Sequence, residues 1–166
     1  MKSSIYIAIP VMLALSVLQT AVLPYFSFLN LSPQLPLLVA LAWGLLRGLD
    51  EGMLWAFVGG LCMDLFSISP IGLTALAYMV AVTAVLWLQQ AFPPGHIIMP
   101  ILLAALTTAI YLIINLLFLR LFSFLSNLQV ITTLWPLILL NAIAILPIYW
   151  LLYGLDRIFR PRRLEL

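Results

Sequence analysis

The charged residues of this chain are so few and so unevenly placed that long stretches carry no charge. Uncharged runs occupy residues 3–46, 65–95, 97–119 and 121–155. A helix crosses the hydrocarbon core of a bilayer with about 20 apolar residues, so each run holds one or two passes. Only 7% of the residues are charged, whereas about a quarter are charged in a soluble domain. The sequence therefore predicts a membrane-embedded helical protein with no soluble domain.

Turn-forming residues divide the runs and predict an all-α, polytopic membrane protein of six helices. The predicted helices cover residues 5–26, 33–46, 52–66, 73–89, 97–119 and 134–155, within a single transmembrane domain of residues 1–166. Ser32 followed by Pro33 predicts the start of the second helix, a hydroxyl N-cap before a first-turn proline. Residues 47–51 are predicted to link the second and third helices, which are short enough to tilt steeply or form a partly re-entrant hairpin. Pro147 predicts a kink in the last helix.

The basic residues near the helix ends predict the orientation of the chain. Cytoplasmic segments of membrane proteins are enriched in lysine and arginine. With both termini in the cytoplasm, Lys2, Arg47 and the tail arginines lie inside and only Arg120 lies outside. The tail arginines are Arg157, Arg160, Arg162 and Arg163, and their charges suit anionic lipid headgroups. The tail is either a membrane-surface anchor that fixes topology or a contact site for a partner.

Small residues recur every four positions along the predicted third helix. They are Gly48, Gly52, Ala56 and Gly60, with Gly59 beside the last of them. In lipid, small residues let helix backbones approach closely. This small-residue stripe therefore predicts either close helix packing within the chain or a groove for the helix of another subunit.

Asp64 is an acidic residue at the end of the same helix, just before a turn-rich segment. A carboxylate without a partner is costly in a membrane, so it faces the bundle interior or a polar cavity. Three roles are open. It could accept hydrogen bonds from backbone N–H groups of the following turn, pair with Arg120, or couple protons or ions.

Arg47, Asp50 and Glu51 form a compact charged corner between the second and third helices. The two acids suit the positive end of the dipole of the third helix. Arg47 can pair with either acid or extend to lipid headgroups. The corner therefore serves local structure or contacts a partner.

The residues needed for catalysis do not come together in the sequence. The chain has one cysteine, Cys62, and one histidine, His96, which lies in a Pro-Gly loop far from any nucleophile pattern. Metal sites need three or four clustered ligands. We expect no enzyme activity, no metal, no cofactor and no nucleic-acid partner.

Residues 45–78 resemble a known family. The resemblance lies in Leu45-Leu46-Arg47-Gly48, Gly52, Gly59-Gly60-Leu61, Asp64-Leu65, Ser69-Pro70-Ile71-Gly72 and Ala75-Leu76-Ala77-Tyr78. This pattern is similar to the signature of the MreD family, the rod shape-determining membrane proteins of bacteria. Length, helix count, orientation and basic tail also fit this family.

The resemblance implies a function in cell-wall elongation. MreD-like proteins are inner-membrane partners of MreC, a single-pass protein with a periplasmic domain. They act with MreB, RodA and a class B penicillin-binding protein in peptidoglycan synthesis, and their fold is thought similar to the substrate-binding subunits of energy-coupling vitamin transporters. The stripe and Asp64 then become candidates for bundle architecture and MreC contact. The family gives no residue a catalytic role.

Two other functions fit a chain of this size. A small-solute-binding subunit of an energy-coupling transporter would need a polar pocket, and its candidate residues are few and scattered: Asn115, Asn127, Gln129 and Asn141. A compact membrane enzyme is disfavoured because the chain lacks a catalytic constellation.

Overall fold

The computed structural model of the chain describes residues 2–26, 32–67, 70–91, 98–121 and 130–159. These residues form six helices and no strand. Helix α1 (2–26) has an α-helical part Lys2–Val17, a π-helical turn Leu18–Val22 and a final turn Leu23–Phe26. The others are α2 (Leu35–Arg47), α3 (Leu49–Leu65), α4 (Leu73–Gln89), α5 (Met99–Leu121) and α6 (Val130–Phe159). The predicted all-α class and six-helix count are confirmed.

Three of the helices are long and apolar enough to cross a membrane. Their candidate spans are Ile5–Tyr25, Met99–Phe118 and Trp135–Arg157. Helices α3 and α4 have 17 residues each, which at 1.5 Å per residue gives roughly 25 Å, close to the ~30 Å hydrocarbon core. Helix α2 has 13 residues and is roughly 20 Å long. The length of α2 therefore suits an interior helix better than one that spans lipid alone.

Helix α2 is the central helix of the bundle. Nine consecutive residues, 36–44, are buried, because α1, α3, α4, α5 and α6 all pack against this helix. A helix that is apolar all round is buried on every side, and Leu37, Leu38 and Leu41 are at most 1% exposed. By contrast, α1 packs mainly on α3 and α2 and leaves much of its surface exposed. The other five helices thus surround α2, with α1 at the edge.

The predicted start of the second helix is wrong. Ser32 and Pro33 precede the helix, which begins at Leu35 without a side-chain cap from its own segment. The Asn141 side chain on α6 supplies the acceptor instead, because its Oδ1 atom lies 3.0 Å from the backbone nitrogen of Gln34. A contact between residues 107 positions apart therefore caps α2, and the first-turn proline is Pro36.

The predicted loop at residues 47–51 is also wrong, since the chain reverses at Gly48 alone. Gly48 has φ 101°, a backbone conformation that residues with a Cβ rarely adopt. Its N–H donates to the carbonyl of Gly44, and its own carbonyl accepts from Gly52. Helix α3 consequently begins at Leu49 with both acids of the corner in its first turn.

The last helix extends beyond both predicted ends. Helix α6 runs from Val130 to Phe159, and both Pro136 and Pro147 lie inside it. Helix α4 has the predicted bounds. The predicted loop at residues 90–96 lies largely outside the described residues, as does the middle of the turn after α3.

Candidate functional site

Asp64 joins the end of α3 to the start of α4. Its side chain is 2% exposed. Oδ2 accepts hydrogen bonds from the backbone N–H groups of Gly72 (2.8 Å) and Ala75 (3.3 Å), and Oδ1 accepts one from Thr74 (3.1 Å). The first N–H groups of a helix have no partner within the helix, and a negative charge there also suits the helix dipole. Asp64 therefore caps α4 from the neighbouring helix.

The alternative ion pair between Asp64 and Arg120 is not observed in the described part of the chain. Arg120 lies exposed in the last turn of α5. The carboxylate of Asp64 is instead enclosed by the start of α4, where three N–H groups converge on it. Its hydrogen bonds are those of a structural acceptor.

Two glycines of the small-residue stripe lie at close crossings between the chain's own helices. A Cβ added at Gly60 would lie 2.7 Å from the backbone nitrogen of Ala75 and 2.8 Å from the carbonyl oxygen of Thr74. A Cβ added at Gly52 would lie 2.7 Å from the Cα of Gly44. Helices α3 and α4, and helices α2 and α3, therefore meet backbone to backbone.

The other stripe residues have different surroundings. A Cβ at Gly59 would meet the sulfur of Met12 at 3.0 Å and the Cβ of Pro36 at 3.4 Å, so α1, α2 and α3 converge there. Ala56 is fully buried. No atom of the described residues lies within 4 Å of a Cβ added at Gly48, and this glycine serves the chain reversal rather than packing.

The charged corner links three helices. The Nε atom of Arg47 lies 2.5 Å from Oδ1 of Asp156 on α6, a partner that the sequence analysis did not name. Glu51 accepts a hydrogen bond from the Trp43 indole at 2.8 Å. The Arg47 guanidinium lies 5.0 Å from the centre of the Trp43 ring, which stacks on Trp55. One end of α6 is thereby held to the α2–α3 reversal.

A second group of polar side chains, the interior polar cluster, comprises Gln34, Thr108, Tyr111, Asn115 and Asn141. The fully buried Asn141 donates through Nδ2 to the Thr108 hydroxyl at 3.2 Å. Asn115 donates to the Tyr111 hydroxyl at 3.0 Å, and the Gln34 side chain interacts with the same hydroxyl. These contacts connect α2, α5 and α6.

Sequence reasoning singled out only the asparagines of this cluster. The available signal was a polar residue inside a long apolar run, which is costly in lipid unless it is hydrogen-bonded. Thr108 also satisfies itself locally, since its hydroxyl donates to the Ala104 carbonyl at 2.8 Å. The role of Gln34 depends on Tyr111 and Asn141, which lie far along the chain. The sequence around Gln34 therefore does not indicate this role.

Of the four candidates for a solute pocket, the structure describes two. Asn115 and Asn141 make the hydrogen bonds given above with protein groups. Asn127 and Gln129 lie outside the described residues, as do Arg160, Arg162 and Arg163 of the tail. Arg157 is exposed at the end of α6.

Metal ligands do not cluster within the described ranges. No group of three or more His, Cys, Asp and Glu side chains could hold an ion there. Cys62 is a free, buried thiol. Asp64, Arg47 and Asn141 make hydrogen bonds or an ion pair with other groups of the chain.

These features define an all-helical membrane protein whose interior polar groups connect its own helices. Comparison with protein family models identifies the family to which this membrane protein belongs. The family model described as rod shape-determining protein MreD matches residues 1–159. The chain belongs to the MreD family of rod shape-determining membrane proteins, which is not a known enzyme family. No curated protein and no solved structure gives a significant match.

Proposed function

We propose that this protein is a non-catalytic subunit of the bacterial cell-elongation complex. In this role it binds MreC and, with RodA, a class B penicillin-binding protein and MreB, helps to organise peptidoglycan synthesis and rod shape. The observation that carries the proposal is the MreD family match over nearly the whole chain. The internal use of Asp64, Arg47 and Asn141 agrees with a structural role for these polar groups.

The proposal includes six passes through the inner membrane with both termini in the cytoplasm. Exposed aromatic side chains support it, because tyrosine and tryptophan gather at both membrane surfaces. Tyr6 and Tyr25 are exposed near the two ends of α1, roughly 28 Å apart along the helix. Trp135 and Trp150 are exposed on α6, roughly 22 Å apart. The first separation is close to the ~30 Å hydrocarbon core of a bilayer, and the second is shorter than it.

The charged corner also supports this orientation. The ion pair between Arg47 and Asp156 brings the end of α6 beside the α2–α3 reversal, so both belong to the same membrane face. Four arginines follow Asp156, and we propose that they anchor this face to anionic lipid headgroups. These residues are Arg157, Arg160, Arg162 and Arg163.

A partner helix would meet the apolar outer surfaces of the bundle. Gly52, Gly59 and Gly60 lie against the chain's own α1, α2 and α4, so the stripe is already engaged. Exposed apolar side chains are present on α1, α4, α5 and α6. MreC contact is therefore assigned to one of these surfaces, with the glycine crossings holding the surface in shape.

The test is a mild-detergent pull-down of the tagged protein from its native cells, read by quantitative mass spectrometry. We expect strong enrichment of MreC, together with RodA or the penicillin-binding protein, relative to an equally expressed, tagged multi-pass protein of unrelated function. Enrichment of an energy-coupling ATPase pair without MreC would support the solute-binding alternative and contradict the proposal.

A further inference from the structure

Three buried side-chain oxygens near one end of the bundle have no hydrogen-bond partner among the described residues. They are Ser16 Oγ and Gln19 Oε1 on α1, and Gln34 Oε1 on α2. Ser16 is 0% exposed and the two glutamines are 9% exposed. Within a membrane no bulk water reaches such groups, so a buried oxygen without a donor is costly. Three such oxygens indicate that something supplies the donors.

The three oxygens lie beyond the same helix crossing. Met12 of α1 and Pro36 of α2 both meet α3 at Gly59. Ser16 is one turn further along α1 than Met12, and Gln34 precedes Pro36 by two residues. Helices α1 and α2 are consecutive and joined by a short segment, so they run in opposite directions. Moving forward along α1 from Met12 to Ser16 and backward along α2 from Pro36 to Gln34 therefore leads towards the same end of the bundle.

The backbone of α1 is irregular at this level. Gln19 lies in the π-helical turn Leu18–Val22, and Ser16 immediately precedes that turn's N-cap, Val17. The Thr20 hydroxyl donates to the carbonyl of Ser16 at 2.8 Å. Single π-helical turns inside α-helices occur frequently at functional sites. The π-helical turn is therefore an independent indication that α1 accommodates a bound group beside Ser16 and Gln19.

We propose that water molecules bind between α1, α2 and α3 at this level and donate hydrogen bonds to Ser16, Gln19 and Gln34. The two glutamine oxygens can only accept a hydrogen bond, and the Ser16 hydroxyl can both donate and accept, so the occupant must be able to donate. Residues 2–26 and 32–38 contain no acidic side chain, so no negative charge on α1 or at the start of α2 calls for a cation. Water is the smallest neutral donor, and buried water typically binds two to four polar protein groups.

The direct test is X-ray hydroxyl-radical footprinting of the purified protein in detergent, because bound water forms radicals that oxidise adjacent side chains. Met12 is 0% exposed and lies one turn from Ser16. We expect oxidation of Met12 in the wild-type protein and its loss in a Ser16→Ala, Gln19→Met double variant. An unoxidised Met12 in the folded wild-type protein would overturn the proposal.

Thermal unfolding gives a second, independent test with a matched control. Thr83 on α4 also has a buried hydroxyl oxygen without a hydrogen-bond partner among the described residues, and no other such oxygen is found on α4. We expect Ser16→Ala and Gln19→Met each to lower Tm by about 2–4 °C, and Thr83→Val to leave Tm unchanged or raise it. If the α1 variants raise Tm as well, their oxygens have no donor in the wild-type protein and the proposal fails.

Discussion

Asp64 shows how an acidic side chain can be accommodated inside an apolar bundle. The carboxylate sits at the end of one helix and accepts hydrogen bonds from three N–H groups at the start of the next. Hydrogen bonds to a charged group are stronger than those between neutral groups. The charge is therefore stabilised by the backbone, and the α3–α4 corner is fixed by a side chain rather than by loop length.

We expect Asp64→Ala to destabilise the protein by about 3 kcal/mol, because buried N–H groups lose a charged acceptor. Asp64→Asn retains one acceptor oxygen, so its cost is smaller. Thermal unfolding in detergent measures both. The Arg120→Gln background is the control. Equal losses in the two backgrounds agree with backbone capping, whereas a much smaller loss in Arg120→Gln would reveal the ion pair.

The sequence allowed the capping role of Asp64 to be proposed but not the partner of Arg47. Asp64 directly precedes a turn-rich segment, so its nearest N–H groups are local in sequence. Arg47 and Asp156 are 109 residues apart, and nothing in the composition around either residue points to the other. Local patterns indicated Asp50 and Glu51 because those acids are near in sequence.

At the scale of the helices, glycine determines how closely α3 approaches its neighbours. Gly60 lies against the backbone of Ala75, and Gly52 against the backbone of Gly44. In lipid the hydrophobic effect does not drive helices together, so their association depends on close van der Waals packing. A methyl group at either position meets backbone atoms, which cannot move without displacing a helix.

Gly60→Ala should therefore destabilise the fold by about 3 kcal/mol, at the upper end of the usual cost of overpacking. Gly154→Ala is the matched control, because no atom of the described residues lies within 4 Å of an added Cβ at Gly154. Alanine also favours helix over glycine by up to about 1 kcal/mol, so the control should be neutral or stabilising. Comparable losses in both variants, measured by thermal unfolding, would refute the close α3–α4 crossing.

The pair of Arg47 and Asp156 holds α6 to the α2–α3 reversal. Their side chains are 24% and 14% exposed, so water screens the interaction only in part. A double-mutant cycle with Arg47→Gln and Asp156→Asn should give a coupling energy of about 1 kcal/mol. Arg47→Gln should be the more costly single change, since it also loses the contact with Trp43. Strictly additive losses would mean that the ion pair contributes nothing.

Helix bounds were predicted best where the turn-forming residues that begin or end a helix lie next to it in the sequence. Gly72 before α4 and the turn after Gln89 gave the correct bounds. The starts of α2 and α3 were missed for physical reasons that lie outside their own segments. Asn141 caps α2 from another helix, and Gly48 reverses the chain within one residue. The burial of residues 36–44 of α2 depends on contacts with five other helices. A short stretch of sequence around α2 carries no information about those contacts.

For the whole molecule, the proposed orientation is tested by cysteine labelling with a membrane-impermeant maleimide on intact spheroplasts. Cys62 is buried, so the native background should react little. Gln90 and Leu121 are exposed near the ends of α4 and α5. We expect Leu121→Cys to react from outside and Gln90→Cys to react only after lysis. The reverse pattern would place the termini outside.

The described bundle has a buried central helix and a largely apolar exterior. Central α2 is enclosed by its neighbours, and the exposed side chains of α1, α4, α5 and α6 are largely apolar. Such a molecule suits a role in which rigid outer surfaces hold other membrane proteins. We propose that MreC binds one of these surfaces.

Site-specific photo-crosslinking in living cells tests that claim most directly. A photoreactive residue would replace exposed Leu13, Trp87, Ile113 or Leu151, one on each of four helices, with buried Tyr78 and Ile145 as controls. We predict an MreC adduct from at least one exposed position and from neither control. Stable expression of every exposed variant without any MreC adduct would contradict the account.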